Sequence, residues 1–399
     1  MMKRSLLLLP ALALALAACA PASPDSAAES TAESAAAPQD SATAETAAFP
    51  VGRLVEGDAL QRTGDAYYMT DYDRPVEVDT VRPYLLKLDF ATATEEVIWR
   101  AEEASWQFSA PVVRDGQAYL TIDSTLYRVP LDGGEATATP LTGEVYFSAA
   151  DEYGIYSFGY ETVSNTIRGS RMDLESGQFT DLTLPSQTQE VRAVGESRFL
   201  LTRLVTEAPL PDPQEFEMYD AALQNATREY DWFDPATGVL EKIFEEPYYP
   251  VSREDGSALN RWFLGENGQR LYFGWVLPDG TGGVESCALD GTGWQAVDGL
   301  PEDRTIIGYL KRNGMLCWLM GGPEGAHWIF DLDSRNLYQM PNITSGVGFP
   351  EALLGSDLVM VADGEQPNIV SGWALISAEE YLNGSTGWTP VTRRTDTAS

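Results

Sequence analysis

The sequence predicts an all-β chain, a β-propeller of four-stranded antiparallel blades with a short helical insertion. Three observations carry that reading. From residue 49 to 392, short runs of Tyr, Phe, Val, Leu, Thr and Trp alternate with Gly, Asp, Asn and Pro, and few long helical patterns interrupt them. A hairpin phrase of the kind "MDLESGQFTDLTL" (172–184), with an aspartate at the strand exit, recurs along the chain. Ahead of each copy stands a polar turn followed by an apolar strand.

The hairpin copies are "LLKLDFATATEEVIW" (85–99), "LYRVPLDGGEATATPL" (126–141), "YDWFDPATGVLEKIF" (230–244), "ESCALDGTGWQAV" (285–297) and "HWIFDLDSRNLYQM" (327–340). A looser copy, "WALISAEEYLNGSTGWTPV", ends the series at 373–391. The aspartates Asp89, Asp132, Asp173, Asp234, Asp290 and Asp331 are 43, 41, 61, 56 and 41 residues apart. Most of these periods match the length of a four-stranded blade. The preceding units run from "TGDAYYMT" and "RDGQAYLT" through "DEYGIYSF" and "GESRFLLT" to "NGQRLYFG", "RNGMLCWL" and "GSDLVMVA". Together they give strands A to D seven times, and seven blades fit best, with six or eight left open. The first A strand is expected near 52–64 and the last D strand near 388–392, so no blade is visibly built from both termini.

Recurrence assigns the aspartates a structural role. An Asp side chain accepts hydrogen bonds from amides about two residues on, and Gly, Asn or Ser supplies the dihedrals of a tight hairpin. The long periods mark an insertion at 204–230, where Phe216, Tyr219 and Leu223 fall at helical spacing within 214–226. A short helix is expected there between strands B and C, with packing on its own blade the leading role over that of a lip across the face.

The N-terminus carries a targeting signal. "MMKRSLLLLPALALALAAC" (1–19) places Lys3 and Arg4 before an apolar run too short to span a bilayer. Its end, Leu16-Ala17-Ala18-Cys19, resembles the lipobox of bacterial lipoproteins. That resemblance implies cleavage after residue 18, a lipid on Cys19, and a chain held at the cell membrane on its extracytoplasmic side. Residues 20–48 contain only Ala, Ser, Thr, Pro, Gln, Asp and Glu, the composition of a disordered tether. The expected organisation is a signal peptide at 1–18, lipidated cysteine and tether at 19–48, propeller at 49–392 and flexible tail at 393–399. The phrases "YRVPLDGG" and "WFDPATG" look similar to bacterial extracellular propellers of the TolB-like and low-density-lipoprotein-receptor-like kinds. Those families share the fold and no single activity, so the resemblance bears on architecture alone.

With 26 basic and 60 acidic residues the formal net charge is −34, which excludes nucleic acid and anionic head groups as natural partners. Lysine occurs only at Lys3, Lys87, Lys242 and Lys311. Beyond Cys19, the cysteines Cys287 and Cys317 lie in apolar strand-like runs and are read as free thiols. Enzyme motifs are missing: the single histidine, His327, sits in the apolar run "AHWIFD", and neither a G-x-S-x-G elbow nor a phosphate-binding glycine loop occurs. A His-rich zinc site is excluded by count. "DYD" (71–73) and "DLDSRN" (331–336) read as turns rather than calcium loops. No cofactor or metal is expected.

If A strands line the channel, "SWQFS" (105–109), "VYFSA" (145–149), "VRAVG" (191–195), "NRWFL" (260–264) and "IIGYL" (306–310) supply the lining. They nominate Trp106, Tyr146, Arg192, Arg261, Trp262 and Tyr309 as ligand-binding residues, aromatic platforms mixed with guanidinium donors. For each taken singly, packing outweighs ligand contact. The functional reading is a membrane-anchored, non-catalytic propeller that binds a glycan, peptide or envelope protein. The alternative is a glycan-active hydrolase or lyase using two carboxylates on the propeller face.

Overall fold

A computed structural model of the chain describes residues 49–394, apart from short internal stretches of which the longest is 249–259. Cys19, the tether and residues 395–399 lie outside the described residues. Strands dominate, and they group into seven antiparallel sheets in chain order, each a meander of four strands here named A to D. Sheet 1 comprises Arg62–Thr63, Ala66–Asp73, Arg82–Asp89 and Thr94–Arg100, and sheet 2 Val112–Arg114, Gln117–Ile122, Thr125–Pro130 and Thr137–Pro140. Sheet 3 is Phe147–Ala150, Gly154–Glu161, Thr166–Asp173 and Phe179–Leu182, followed by sheet 4 with Thr188–Val194, Arg198–Val205, Thr227–Phe233 and Leu240–Pro247. Sheet 5 holds Asn260–Glu266, Arg270–Val276, Gly282–Ala288 and Gln295–Ala296. Sheets 6 and 7 run from Arg304–Lys311 to Leu337–Gln339 and from Pro350–Leu353 to Thr389–Pro390.

The sheets stack face to face, which explains their sequence. Strand C of sheet 1 is buried at Tyr84, Leu85, Leu86 and Leu88 on both of its faces, so simple polar and apolar alternation is lost there. Outer strands are wetter: all four residues of Thr137–Pro140 are exposed. Apolar layers join each sheet to the next, for example Tyr156 of sheet 3 with Phe199 and Phe233 of sheet 4. Another layer sets Leu375 of sheet 7 against Tyr67 and Leu88 of sheet 1. Thr392–Arg393 then adds to sheet 1 as a parallel fifth strand beside strand D, and Arg393 pairs with Glu95 at 2.7 Å. The two ends of the folded chain therefore meet in sheet 1.

Two expectations about strands are corrected. Residues 105–109 form no strand and make one isolated bridge, Phe108 to Ile122; strand A of sheet 2 is Val112–Arg114. The cause is local: the Ser105 hydroxyl accepts from the Gln107 amide at 2.9 Å and donates to Asp123 at 2.7 Å, competing with ladder formation. The region 52–64 is likewise not one A strand. Only Arg62–Thr63 enters sheet 1, while Val55–Glu56 pairs with the free edge of strand A in sheet 3.

That N-terminal strap is held by a built anchorage. The Arg171 side chain, 3% exposed, lies over the Phe49 ring at 4.5 Å and donates to the Pro50 carbonyl at 3.4 Å. Buried Asp151 accepts from the Gly52 amide at 3.1 Å and from the Tyr153 and Gly154 amides at 2.7 Å each. Leu54 fills the layer between sheets 3 and 4, and Glu56 accepts from the Ala193 amide of sheet 4.

The aspartate turns occupy the C–D connections as expected. Asp89 accepts from the Thr92 amide and hydroxyl at 2.9 and 2.8 Å, and Asp173 likewise from Ser176 at 2.8 and 2.7 Å. Asp234 accepts from Thr237, Asp290 from Thr292 and Asp331 from Ser334, so a following hydroxyl residue is the other half of the motif. These bonds hold the Asp89, Asp173 and Asp290 carboxyls below the usual 3.8, unsuited to delivering protons at neutral pH. The seventh copy lacks the aspartate because a helix, Ala378–Leu382, fills its C–D connection, capped by Ser377 accepting from the Glu380 amide. The inserted helix forms at Phe216–Gln224 between strands B and C of sheet 4, and its Leu223 packs with Leu204 of that same sheet. Cys287 is a buried free thiol, pushed up to about 11 by burial; the Cys317 side chain lies outside the described residues.

The fourth residue after the turn aspartate is left-handed in four copies: Gly177 and Gly238 at φ 70°, Ala93 at 49° and Arg335 at 61°. An L-residue there costs roughly 1–2 kcal/mol. Ala93→Gly and Arg335→Gly are each expected to stabilise the chain by about 0.5 kcal/mol after the unfolded-state entropy of glycine is subtracted, read from chemical unfolding midpoints. For the strap, Arg171→Met and Gly154→Ala are expected to share one phenotype, because a Cβ at Gly154 meets Arg171 Nε at 2.5 Å. Each loses about 2 kcal/mol, and limited proteolysis cuts near residue 50 sooner in both.

Candidate functional site

In each meander the A–B and C–D turns lie at one end, and the B–C connections and passages to the next sheet lie at the other. Aspartate turns and anchored strap occupy the first end. The second is fastened by hydroxyls at the fourth or fifth residue of strand B and, at Ser109, by one on the connection itself. Thr70 Oγ1 donates to the Ser109 carbonyl at 2.9 Å, and Thr121 Oγ1 to the Val145 carbonyl at 3.2 Å. Ser109 Oγ accepts from the Thr121 amide at 2.9 Å, and Ser157 Oγ from the Tyr146 amide at 3.1 Å. The connections entering sheets 2 and 3 are thus pinned to neighbouring strands.

On those pinned connections stand Trp106 and Tyr146, 57% and 51% exposed. Tyr160, near the same end of strand B in sheet 3, is 59% exposed. Trp106 packs edge-on to Tyr72 with ring centroids 5.8 Å apart, and Tyr72 in turn lies 5.8 Å from Phe108. Tyr72, Trp106 and Phe108 thus form an aromatic cluster between sheets 1 and 2, while Tyr146 and Tyr160 stand exposed at the same end of sheet 3. Sequence reading found Trp106 and Tyr146 but not Tyr72, Phe108 or Tyr160. The available signal for Tyr160 was a tyrosine after the "IYSF" strand, where alternation had ended.

The other nominated residues are elsewhere. Arg192 pairs with Glu190 at 2.8 Å in strand A of sheet 4. Trp262 packs with Leu264 and Tyr272 in the layer toward sheet 6, close against Gly274. Tyr309 falls opposite Cys317 in strand A of sheet 6, and its side chain lies outside the described residues. Arg261 turns into the seam between sheets 4 and 5. Its guanidinium pairs with Glu246 and, at 2.7 Å, with Glu285, and it lies 4.6 Å from the Trp294 ring. Arg228 donates to the Arg261 carbonyl at 3.0 Å and also pairs with Glu246 at 3.4 Å.

A cleft of about 360 Å³ opens over this seam, lined by Phe244, Glu245, Arg261, Glu285, Trp294 and Gln295 among others. Its volume suits a small ligand. Of its carboxylates, Glu285 pairs with the Arg261 guanidinium and Glu245 with the Lys242 ammonium, each at 2.7 Å, an arrangement that stabilises charge rather than moving protons. Burial pushes the His327 imidazole down toward its neutral form, and its carbonyl accepts from the Met340 amide. Asp71 is engaged by the Tyr72 amide and the Tyr84 hydroxyl. Among the described residues no group of three His, Cys, Asp or Glu side chains is arranged to hold a metal. No helix among them is long and apolar enough to cross a membrane.

No family model matches the sequence, and no curated protein sequence matches it. Solved structures do resemble the fold. A puromycin-hydrolyzing peptidase of Mycobacterium tuberculosis superimposes over 88% of this chain with a TM-score of 0.50 and 12% identity. The matched part is 56% of that peptidase, so the chain spans about half its length. The oligogalacturonate lyase of Vibrio parahaemolyticus, 12% identical, aligns over 83% of this chain and 86% of its own with a TM-score of 0.44. Oligopeptidase B of Leishmania major gives 0.49 at 11% identity, over 87% of this chain and 49% of that one. At these identities the likeness is one of fold, an all-β architecture of the propeller type.

The seam assigns Arg261 a structural task. Arg261→Met is expected to cost about 2 kcal/mol by stranding Glu246 and Glu285 in partly buried positions, measured by urea unfolding. Adding Glu246→Gln and Glu285→Gln restores most of that loss, because the uncompensated charges go with the arginine.

Proposed function

We propose that the protein is a lipid-anchored extracytoplasmic binding module, and that its seven sheets are the blades of a closed seven-bladed β-propeller. The lipobox ending in Cys19 and the residues 20–48 that follow it support the anchor. Face-to-face layers between successive sheets, the contact of Leu375 with Tyr67 and Leu88, and the strand Thr392–Arg393 beside strand D of sheet 1 support closure. With both faces of each blade occupied by its neighbours, recognition is left to the ends.

One observation carries the binding role: Trp106 and Tyr146 stand exposed on connections that hydroxyl bonds hold in place, and Tyr160 stands exposed near the same end of strand B in sheet 3. Single exposed aromatics are ordinary, whereas several at one end of a rigid support offer contact area with little ordering entropy lost on binding. The ligand class is a glycan or a peptide. Of the carboxylates lining the cleft, Glu285 is paired with Arg261 and Glu245 with Lys242, which favours binding over turnover.

Cys19→Ser is expected to move the chain from the membrane fraction to the soluble fraction, and mass spectrometry is expected to find acyl chains on residue 19 of wild type. A wild-type chain with an unmodified Cys19 overturns the anchor. In detergent micelles the full chain is expected to bind glycan or peptide probes saturably, without consuming them. The triple variant Trp106→Ala, Tyr146→Ala, Tyr160→Ala loses that binding; turnover of a glycan probe by wild type instead establishes a glycan-active enzyme.

A further inference from the structure

We infer that the cleft over the seam between sheets 4 and 5 is a binding site of its own, and that it takes one uncharged sugar ring. It shares no residue with Trp106, Tyr146 and Tyr160, so the inference does not rest on their proposed role. Its walls come from the outer strands of two successive sheets: Phe244 and Glu245 on one side, Trp294 and Gln295 on the other. Arg261 and Glu285 are contributed by strands A and C of sheet 5. A volume of about 360 Å³ lies at the small end of ligand pockets, room for a single ring rather than a long chain.

Both walls are fixed before any ligand arrives. Phe244 stacks on Tyr230 with ring centroids 4.3 Å apart and meets Phe273 edge-on at 5.4 Å. On the other side the turn that leads into Trp294 is clamped. Arg270 donates to the Ser286 and Gly293 carbonyls at 2.7 Å each, and Asp290 accepts from the Thr292 amide and hydroxyl at 3.0 and 2.6 Å. That turn also sits tight against strand D of sheet 4, since a Cβ on Gly291 would meet the Ile243 carbonyl at 2.6 Å. The Arg261 guanidinium lies over the Trp294 ring at 4.6 Å, yet 37% of the tryptophan remains exposed. A lining formed in advance loses little ordering entropy on binding.

The chemistry of the lining selects the ligand. Phe244 and Trp294 offer apolar surface to the C–H groups of a sugar ring. Glu285 is already paired with Arg261 and Glu245 with Lys242, each at 2.7 Å. A carboxylate has about four lone-pair sites, so one that is ion-paired still accepts from a hydroxyl, and the exposed Gln295 amide both donates and accepts. An anion entering the cleft meets Glu245 and Glu285. A cation has to compete with Lys242 and Arg261 for the same oxygens. An apolar molecule takes water from the carboxylates and returns no hydrogen bond. Neighbouring hydroxyls on an uncharged ring, each a donor and an acceptor, meet the mixed lining without disturbing either ion pair.

The test uses the full chain in micelles of a detergent without a sugar head group, read by saturation-transfer NMR titration. The probes are the methyl glycosides of glucose, galactose and mannose, with glucuronate as an anionic counterpart, glucosamine as a cationic one and a blocked Gly-Ser dipeptide. The expected result is saturable binding of at least one methyl glycoside in preference to the three other probes. Trp294→Ala weakens it about tenfold. Gln295→Ala and Ala296→Leu, the second adding bulk to the lining, each weaken it severalfold and alter only exposed side chains, so unchanged thermal unfolding is expected of both. The triple variant Trp106→Ala, Tyr146→Ala, Tyr160→Ala keeps wild-type affinity for the glycoside.

Absence of saturable binding by all three methyl glycosides overturns the inference. Equal or tighter binding of glucuronate, glucosamine or the dipeptide does the same, as does a glycoside that binds Gln295→Ala and Ala296→Leu as well as wild type. If the triple variant loses the glycoside and the cleft variants keep it, the proposed binding role of the exposed rings stands and the cleft falls. Loss in both sets removes the independence of the two sites and overturns the inference as well. Loss in the cleft variants alone supports it, whatever the exposed rings bind.

Discussion

The organising constraint in this chain is that every sheet must bury both of its faces. A sheet packed on one side is content with alternate polar and apolar residues; a sheet sandwiched between two others is not. Strand C of sheet 1, with Tyr84, Leu85, Leu86 and Leu88 buried in near succession, is the direct expression of that demand. Once the faces are committed to packing, polar chemistry is displaced to the sheet ends and outer strands. That is why the two ends differ so sharply. One is closed by aspartate turns and the Arg171 anchorage, and the other carries the longer connections with their exposed rings.

The same constraint shapes the few polar groups that remain between sheets. Glu246, Arg261 and Glu285 occupy the seam between sheets 4 and 5, and each charge there has an opposite partner. Trp294 closes over the guanidinium, and Phe244 lies edge-on to Trp294 at 5.0 Å. The seam therefore behaves as packing material that happens to be charged. A cleft above it does not by itself make these carboxylates reactive, because the energy that would poise one for proton transfer is already engaged in ion pairing.

Legibility in the sequence followed the range of the interaction. The aspartate turns were readable because donor and acceptor lie within three residues of each other, as Asp173 and Ser176 do. The inserted helix was readable from its own periodicity. The strap was not, since Val55 pairs with Ala150 and nothing in "VGRLVEG" distinguishes an edge strand of sheet 3 from a first strand of sheet 1. The joining of the chain ends in sheet 1 was hidden for the same reason: Thr392 meets Thr94 across almost the whole fold. For the site, type and neighbourhood were readable in Trp106 and Tyr146, but the direction of a side chain on strand A was not. Arg261 and Trp262 are adjacent, so they point to opposite faces, one into each seam.

The charge balance gains a physical reading from these contacts. Arginine outnumbers lysine heavily, and several arginines are inside: Arg171 at 3% exposure, Arg261 at 13%, and Arg203 and Arg228 at 17% each. A planar guanidinium serves two acceptors in fixed directions, as Arg203 does with Glu229 and Asp231 at 2.6 Å each. The described lysine that ion pairs, Lys242, is by contrast half exposed. Positive charge is thus drawn inward to join strands and sheets, while Asp and Glu dominate what faces water. Solvent therefore sees a field more one-sided than the composition alone implies, and any molecule approaching the exposed rings of Trp106, Tyr146 and Tyr160 meets that field before it meets the rings.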